Sequence, residues 1–237
     1  MTAKNHGFTF KQFHINHDRC AMKVGTDGVL LGAWADVSDA KTLLDLGTGT
    51  GLIALMLAQR TAAHCRISAV EIDYAAFLQA KENVRHSPWA DRISIYHQDI
   101  ADFAAKCGEK FDIITANPPY FQPGSDCRSG QRNRARYTLD QCHEDWLNLA
   151  ATCLSDNGCI HFILPFEAGE TLQKQTALFC LHRCEVVTKT GKMPQRLLLT
   201  FAKRPQPTVH ERLTIYDENH HYQPEFIRLI QDFYLKY

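Results

Sequence analysis

Apolar residues fall into short, nearly continuous runs, and longer segments with helical spacing separate them. Four runs have the length and β-branched content of buried parallel strands: Thr42–Leu46, Arg66–Val70, Ile93–His97 and Phe111–Ala116. The intervening segments predict helices over Leu52–Arg60 and Tyr74–Arg85, with Asp73 as the N-cap of the second. The alternation predicts an α/β fold with a parallel sheet and helices on both of its faces.

The alternation continues through the second half of the chain. Its predicted elements are helix His143–Leu154, strand Cys159–Leu164, helix Glu167–Cys180, strand Glu185–Thr188, final strand Arg196–Lys203 and terminal helix Pro224–Leu235. We therefore expect a main domain over residues 41–204 and a C-terminal extension over 205–237, in one globular unit with the cap described next.

The first forty residues predict a small cap on the main domain. The loose alternation of Phe8–Ile15 favours a strand paired with Ala21–Val24, followed by helix Val29–Ala35. Thr26 or Asp27 is the expected N-cap of that helix. This cap is either structural or a cover over a bound cofactor, and in the second case Thr26 contacts the cofactor.

The segment Asp-Leu-Gly-Thr-Gly-Thr-Gly, residues 45–51, lies between the first long strand and its helix. Gly47, Gly49 and Gly51 let the backbone turn tightly and let a ligand approach the main chain without a Cβ in the way. Their spacing differs from the G-x-G-x-x-G of dinucleotide oxidoreductases. The carboxylate of Asp45 also suits an ammonium group better than a pyrophosphate.

Acidic residues follow the next two strands. Glu71 is placed to accept both ribose hydroxyls of a nucleoside. Asp99 is placed to accept from an adenine amino group, while Ile100 packs on the ring. Each acid alone is an ordinary cap or loop residue, but acids at successive strand ends beside a glycine turn indicate a nucleoside-containing cofactor.

Asn117-Pro118-Pro119-Tyr120 follows the Phe111–Ala116 run and so lies at the carboxyl end of a strand, where open α/β sheets bind ligands. The consecutive prolines have fixed φ angles and no N–H, which makes the loop rigid. The Asn117 amide oxygen and the Pro118 carbonyl are two acceptors beside an aromatic ring. They suit a flat group that carries an NH2, stacked on Tyr120.

Two clusters of basic residues follow this loop, and both are candidates for contacts with phosphates. The first cluster comprises Arg128, Arg132, Arg134 and Arg136, with no acid from Cys127 to Leu139. The second lies between Val186 and His210, also without an acid, and its candidate contacts are Lys189, Lys192 and Arg196.

Composition limits the remaining classes of protein. The chain has 26 Lys and Arg and 26 Asp and Glu, so a nucleic-acid partner has to be bound by local basic surface. Nine scattered cysteines without a C-x-x-C pair favour reduced thiols and argue against a disulfide framework or a metal site. Without a signal region or membrane-length apolar run, we expect a cytoplasmic protein with no membrane contact and no obligate protein partner.

The motifs DLGTGTG, AVEID, HQDI and NPPY, in this order, resemble the class I S-adenosylmethionine-dependent methyltransferases with the NPPY signature, which act on planar amino nitrogens. The resemblance covers roughly residues 41–203. The stretch GTDGVLLGAW, the arginines after NPPYF and the ending EFIRLIQDFYLKY are similar to the bacterial tRNA (adenine-N6)-methyltransferases that modify adenosine 37, beside the anticodon of valine tRNA.

The resemblance implies a Rossmann-like sheet of seven mostly parallel strands with helices on both faces and an antiparallel last strand. It also implies S-adenosylmethionine as methyl donor, leaving as S-adenosylhomocysteine, no metal, and the anticodon stem-loop of valine tRNA as the partner. Asp45, Gly47, Gly49 and Gly51 would line the methionine part of the cofactor. Glu71 and Asp99 would hold its adenosine. Asn117, Pro118, Pro119 and Tyr120 would hold the target base.

Other functions remain possible from the sequence. The same loop can hold an adenine or guanine amine of ribosomal RNA, or a protein glutamine. Glutamine enzymes usually carry a longer helical N-terminal domain, and the basic clusters favour RNA. A non-catalytic RNA-binding module and a dinucleotide oxidoreductase are less favoured, because the NPPY loop is intact and the glycine spacing differs.

Overall fold

The computed structural model describes residues 7–119 and 142–236. Its strands are β1 (Gly7–Thr9), β2 (His14–Asn16), β3 (Thr42–Leu46), β4 (Arg66–Glu71), β5 (Ile93–His97), β6 (Phe111–Ala116), β7 (Leu154–Pro165), β8 (Phe179–Lys189), β9 (Arg196–Ala202) and β10 (Val209–Tyr216). Its helices are α1 (Thr26–Trp34), α2 (Leu52–Arg60), α3 (Tyr74–Arg85), α4 (Ile100–Lys106), α5 (His143–Cys153), α6 (Phe166–Gln175) and α7 (Pro224–Ile230).

Strands β3 to β10 form one sheet in the order β10-β8-β9-β7-β6-β3-β4-β5. Neighbouring strands run parallel except at β9, which is antiparallel to both β7 and β8. The class I methyltransferase architecture is thereby confirmed, and the strand expected over Arg196–Lys203 is the antiparallel one. An eighth strand, β10, extends the sheet beyond the predicted seven by pairing parallel to β8.

The sheet is covered on both faces, which explains the continuous apolar runs of its central strands. Successive residues of β3 point to opposite sides: Leu43 packs in the cluster that contains residues of α1, α2 and α7, whereas Leu44 and Leu46 pack with residues of α4, α5 and α6. Both faces of the sheet therefore pack against a hydrophobic core, and the carboxyl ends of the parallel strands lie at one edge.

The N-terminal segment folds differently from the prediction. Phe8–Ile15 is a hairpin of β1 and β2, not one strand, and residues 21–24 form no strand. The amide of Phe10 donates to the Phe13 carbonyl at 2.9 Å, and the two rings stack with centroids 4.5 Å apart. The aromatic residues gain more contact when the chain doubles back than when it continues extended.

The start of α1 was also predicted incorrectly. Its N-cap is Gly25, and no side chain caps the helix. Thr26 and Asp27 lie inside its first turn. The carboxylate of Asp27 instead forms an ion pair with Arg196 at 3.0 Å. A partner on a distant strand thus replaces the local capping bond that the sequence favoured.

The terminal segments pack together. Helix α7 ends at Ile230, before the predicted Leu235, but Phe226, Ile230 and Phe233 are all buried as their spacing predicted. The amide of Lys11 donates to the Phe233 carbonyl at 2.8 Å. Within the two described ranges, no helix is both long enough and apolar enough to span a bilayer.

Candidate active site

The turn after β3 places three glycines at the carboxyl edge of the sheet. Gly47, Gly49 and Gly51 have φ angles of +66°, +55° and +82°, the left-handed region that side chains disfavour. At Gly47 a Cβ would also lie 2.8 Å from the ring of Trp146 on α5. The absence of a side chain there lets α5 approach the turn, so the turn and the indole form one wall.

Glu71 connects the end of β4 to this turn. One carboxylate oxygen, Oε2, accepts from the Gly49 amide at 2.8 Å, and Oε1 accepts from the Asp73 amide at 2.8 Å. Asp73 in turn caps α3 by accepting from the Ala76 amide at 2.8 Å, as predicted. Glu71 is therefore held in a fixed orientation at the edge of the sheet.

A cavity of about 250 Å³ lies beside Glu71. Its walls include Cys20, Ala21, Met22, Gly47, Gly49, Glu71, Ile72, Asp99, Ile100, Asn117, Pro119 and Trp146. Asp99 uses Oδ1 to cap α4, accepting from the Ala101 amide at 2.7 Å, and its second oxygen has no hydrogen-bond partner among the described residues. The cavity joins apolar walls to three acidic residues, Glu71, Asp73 and Asp99, a combination that suits a flat base and a hydroxyl-bearing sugar.

Asp45 lies beneath the turn and has no exposed surface. Its oxygens accept from the hydroxyls of Thr48 at 2.5 Å and Thr115 at 2.9 Å. Burial raises the pKa of Asp45 to about 6, against the opposing effect of these hydrogen bonds. Asp45 and Gly51 line neither of the two site cavities, unlike Gly47 and Gly49. Asp45 is therefore placed to support the turn rather than to touch a ligand.

Asn117 stands where the smaller cavity meets a larger cleft, and it lines both. Its Oδ1 is buried and has no hydrogen-bond partner in the described part of the chain. A buried acceptor without a donor is costly, so such an atom marks a place where a ligand donor belongs. From the sequence, this oxygen is interpreted as the hydrogen-bond acceptor for an amino group.

Helix α5 holds the loop after Asn117. The Pro119 carbonyl and His143 Nε2 are 3.3 Å apart, with the imidazole as donor. Burial lowers the pKa of His143, so the ring is neutral near pH 7. Pro118 is buried and Pro119 exposed. Tyr120, Arg128, Arg132, Arg134 and Arg136 lie outside the described residues.

The larger cleft has a volume of about 570 Å³. It runs from the glycine turn past Thr26 and the Asp27–Arg196 pair toward β8, β9 and β10. Arg196 thus lies in the cleft wall, whereas Lys189 is the last residue of β8 and Lys192 lies on the turn that follows it. Lys192 is exposed.

Several lining residues were missed from the sequence. They are Cys20, Ala21, Met22, Ile72, Trp146 and, in the larger cleft, Thr188, Gln195, Tyr216, Tyr222 and Tyr234. Ile72 could have been inferred from its position next to Glu71. The others come from elements whose position over the sheet edge no local pattern reveals.

Comparison with known proteins shows the family to which this chain is similar. Residues 25–192 match the family model described as "Methyltransferase small domain". The tRNA1(Val) (adenine(37)-N6)-methyltransferase of Pasteurella multocida (strain Pm70) is 62% identical over 237 residues, covering 100% of both chains. The protein of the same name from Haemophilus influenzae (strain PittGG) is 57% identical, covering 97% of this chain and 99% of its own.

Solved structures support the fold. A protein of Agrobacterium tumefaciens described as "a predicted O-methyltransferase" superimposes with a TM-score of 0.68 at 18% identity, covering 87% of this chain and 96% of its own. A ribosomal protein L11 methylase of Lactobacillus delbrueckii subsp. bulgaricus gives a TM-score of 0.50 at 16% identity, covering 75% and 77%. At such identities the likeness concerns the fold alone.

Proposed function

The chain belongs to the tRNA1(Val) (adenine(37)-N6)-methyltransferases, within the methyltransferase small domain family, and from this membership we propose its reaction. The protein transfers a methyl group from S-adenosylmethionine to the exocyclic N6 amine of adenosine 37, beside the anticodon of valine tRNA. The observation that carries this proposal is the buried amide oxygen of Asn117 at the junction of the two cavities, which has no hydrogen-bond partner among residues 7–119 and 142–236.

The smaller cavity fits the adenosine of S-adenosylmethionine. Glu71 would accept from the ribose hydroxyls and Asp99 from the adenine amine, with Ile100 against the ring. Gly47, Gly49 and Thr26 would lie along the methionine part. When bound, the sulfonium supplies an electrophilic methyl group with a good leaving group.

The residues of the loop have to orient a poor nucleophile, because the lone pair of an aromatic amine is delocalised into its ring. Asn117 Oδ1 and the Pro118 carbonyl would accept from the two N–H bonds of the amine and favour a nitrogen closer to tetrahedral. They would also stabilise the positive charge that develops on it. Tyr120 would stack on the target base.

A strong general base is not required by this scheme. The nitrogen–carbon bond forms as the carbon–sulfur bond breaks, and the cationic nitrogen then loses its proton to solvent. We propose no metal for any step. The neutral ring of His143 would hold the Pro119 carbonyl through a hydrogen bond and keep the loop in place.

The basic clusters would bind the RNA backbone. Arg128, Arg132, Arg134, Arg136, Lys189, Lys192 and Arg196 are the candidate contacts, and the anticodon stem-loop is the expected partner. Bases of such a loop are splayed out and stacked on aromatic side chains at a cost of only a few kcal/mol. We expect the reaction in the cytoplasm and without an obligate protein partner.

The test uses purified protein, methyl-labelled S-adenosylmethionine and total tRNA from a strain that lacks the enzyme, followed by nucleoside analysis. We expect the label in N6-methyladenosine, at position 37 of valine tRNA. Label in ribosomal RNA or in a protein glutamine would replace the proposed substrate but keep the reaction class. Failure to bind S-adenosylmethionine in a calorimeter would overturn the proposal.

A further inference from the structure

The larger cleft continues well beyond the place proposed for the cofactor. Asn117, at the end of β6, lines its inner part, and Tyr216, at the end of β10, lines its outer part. Four strand spacings separate β6 from β10 in the sheet, a distance of about 19 Å. One nucleobase is too small to occupy both ends of the cleft.

The outer part of the cleft has aromatic and hydroxyl groups above an apolar floor. The rings of Tyr216 and Tyr222 stack with centroids 4.9 Å apart and planes inclined by 21°, and both are half-buried. Their hydroxyls are 3.5 Å apart. Val186 and Ile215 form part of the floor. A partly exposed aromatic pair with polar tips suits a planar group that carries hydrogen-bonding edges.

Two lysines lie next to lining residues of this part: Lys189 follows Thr188, and Lys192 is on the turn that leads to Gln195. The turn between β8 and β9 is tied to β10 because the Thr190 amide donates to the Tyr216 carbonyl at 2.9 Å. Lys189 Nζ lies 3.1 Å from His220 Nε2, and Lys192 is exposed on the same turn. Aromatic rings beside lysines are the combination that binds single-stranded nucleic acid by stacking and phosphate contact.

We propose that the outer cleft, lined by Tyr216, Tyr222 and Gln195 and flanked in the chain by Lys189 and Lys192, binds a second nucleotide of the substrate RNA. Its base packs against the tyrosine pair and its phosphate contacts the lysines. This subsite rests on the proposed function in that the substrate is RNA. The subsite binds the RNA at a second place along the edge of the protein sheet. It therefore contributes to RNA affinity and to the choice of RNA sequence.

Equilibrium binding of a short RNA hairpin, measured with S-adenosylhomocysteine present, tests the subsite separately from catalysis. The variants are Tyr216→Leu and Tyr222→Leu, with Tyr96→Leu as the matched control because Tyr96 is 39% exposed on β5, at the opposite end of the sheet. We expect RNA affinity to fall about 10-fold in the first two variants and to stay unchanged in the control. Affinity for S-adenosylhomocysteine should be unchanged in all three.

Abasic substitution at each loop position of the hairpin identifies the base. At one position other than the target adenosine, the abasic hairpin should bind Tyr216→Leu and the wild type equally, because the lost contact is shared. Thermal melting checks that each variant folds. If a leucine variant does not fold, the same comparison on the intact and abasic hairpins is made with Gln195→Ala, which changes an exposed side chain in the cleft wall.

Equal RNA affinity of wild type and folded variants would overturn the subsite, as would additive effects of protein and RNA changes at every position. A wild type that binds the hairpin without methylating it would overturn the proposed function alone. In that case the binding comparison of wild type and variants on intact and abasic hairpins still tests whether the subsite exists. A wild type that does not bind RNA would overturn both.

Discussion

Glu71 accepts a hydrogen bond from the Gly49 amide at 2.8 Å, so the carboxylate that faces the smaller cavity also holds the glycine turn. Its other oxygen is engaged by the Asp73 amide at 2.8 Å. Two neighbouring strand ends are thereby joined through one side chain. The same carboxylate can position the turn and accept from a ligand's hydroxyls, because each oxygen has more than one lone pair.

Glu71→Gln should therefore weaken cofactor binding. The side-chain amide of the introduced glutamine has only one acceptor oxygen. Its NH2 group must therefore face either a backbone N–H or a ribose hydroxyl, where the carboxylate had an acceptor. We expect the Kd for S-adenosylmethionine to rise about 10- to 100-fold, as for loss of one or two charged hydrogen bonds. Calorimetry measures this, with Glu109→Gln as a control on an exposed side chain. An unchanged Kd would remove Glu71 from the cofactor site.

Asn117→Ala should lower turnover strongly while leaving cofactor binding nearly intact. The variant loses an acceptor that acts only on the reacting amine, a loss of about 100- to 1,000-fold in kcat. Single-turnover methylation and calorimetry on the same preparation measure the two effects. Asn148→Ala, an exposed asparagine on α5, is the matched control. Substantial methylation by Asn117→Ala would contradict the assignment.

Asp45→Asn should change the pH dependence of stability. The folded pKa of Asp45 is raised from 3.8 to about 6 by burial, so protonation favours the folded state. Its contribution is fully present below pH 3.8 and is lost as pH rises through about 6, an effect of about 3 kcal/mol in the free energy of unfolding. Asp45→Asn should lack this loss.

Urea denaturation of both proteins between about pH 4 and pH 7 measures the difference. The comparison with the variant is needed because His161 acts in the opposite direction. Its pKa is lowered by burial to about 4, so its contribution is present above pH 6.5 and is lost as pH falls through about 4. A constant difference between wild type and Asp45→Asn across this range would contradict the prediction.

Lys192→Ala should reduce the salt dependence of RNA binding. If the exposed ammonium contacts a phosphate, its removal lowers the slope of log K against log salt by about 0.7. Fluorescence anisotropy over a salt series measures the slope. Lys174→Ala is the control, since that lysine is 76% exposed on α6, a helix outside the cleft wall. Equal slopes for wild type and Lys192→Ala would place the RNA elsewhere.

The local sequence pattern alone determines many of the strands, helices and turns of this protein. Strand β6 has the predicted bounds, Asp73 caps α3, and the glycine turn follows β3, because hydrophobic period, capping and left-handed φ are short-range properties. Glu71, Asp99 and Asn117 could be placed at strand ends by the same reasoning. Parallel strands then bring those ends to one edge of the sheet.

Tertiary structure decided the features that depend on distant partners. Asp27 pairs with Arg196 instead of capping α1, and Asp45 is buried beneath the turn instead of lining a cavity. Strand β10 was missed because its first four residues, Val209 to Arg212, are exposed and mostly polar, so only Leu213 and Ile215 supply buried apolar positions. Trp146 in the smaller cavity and Tyr216 and Tyr222 in the larger cleft come from segments far apart in the chain. Their proximity follows from packing, which no local period encodes.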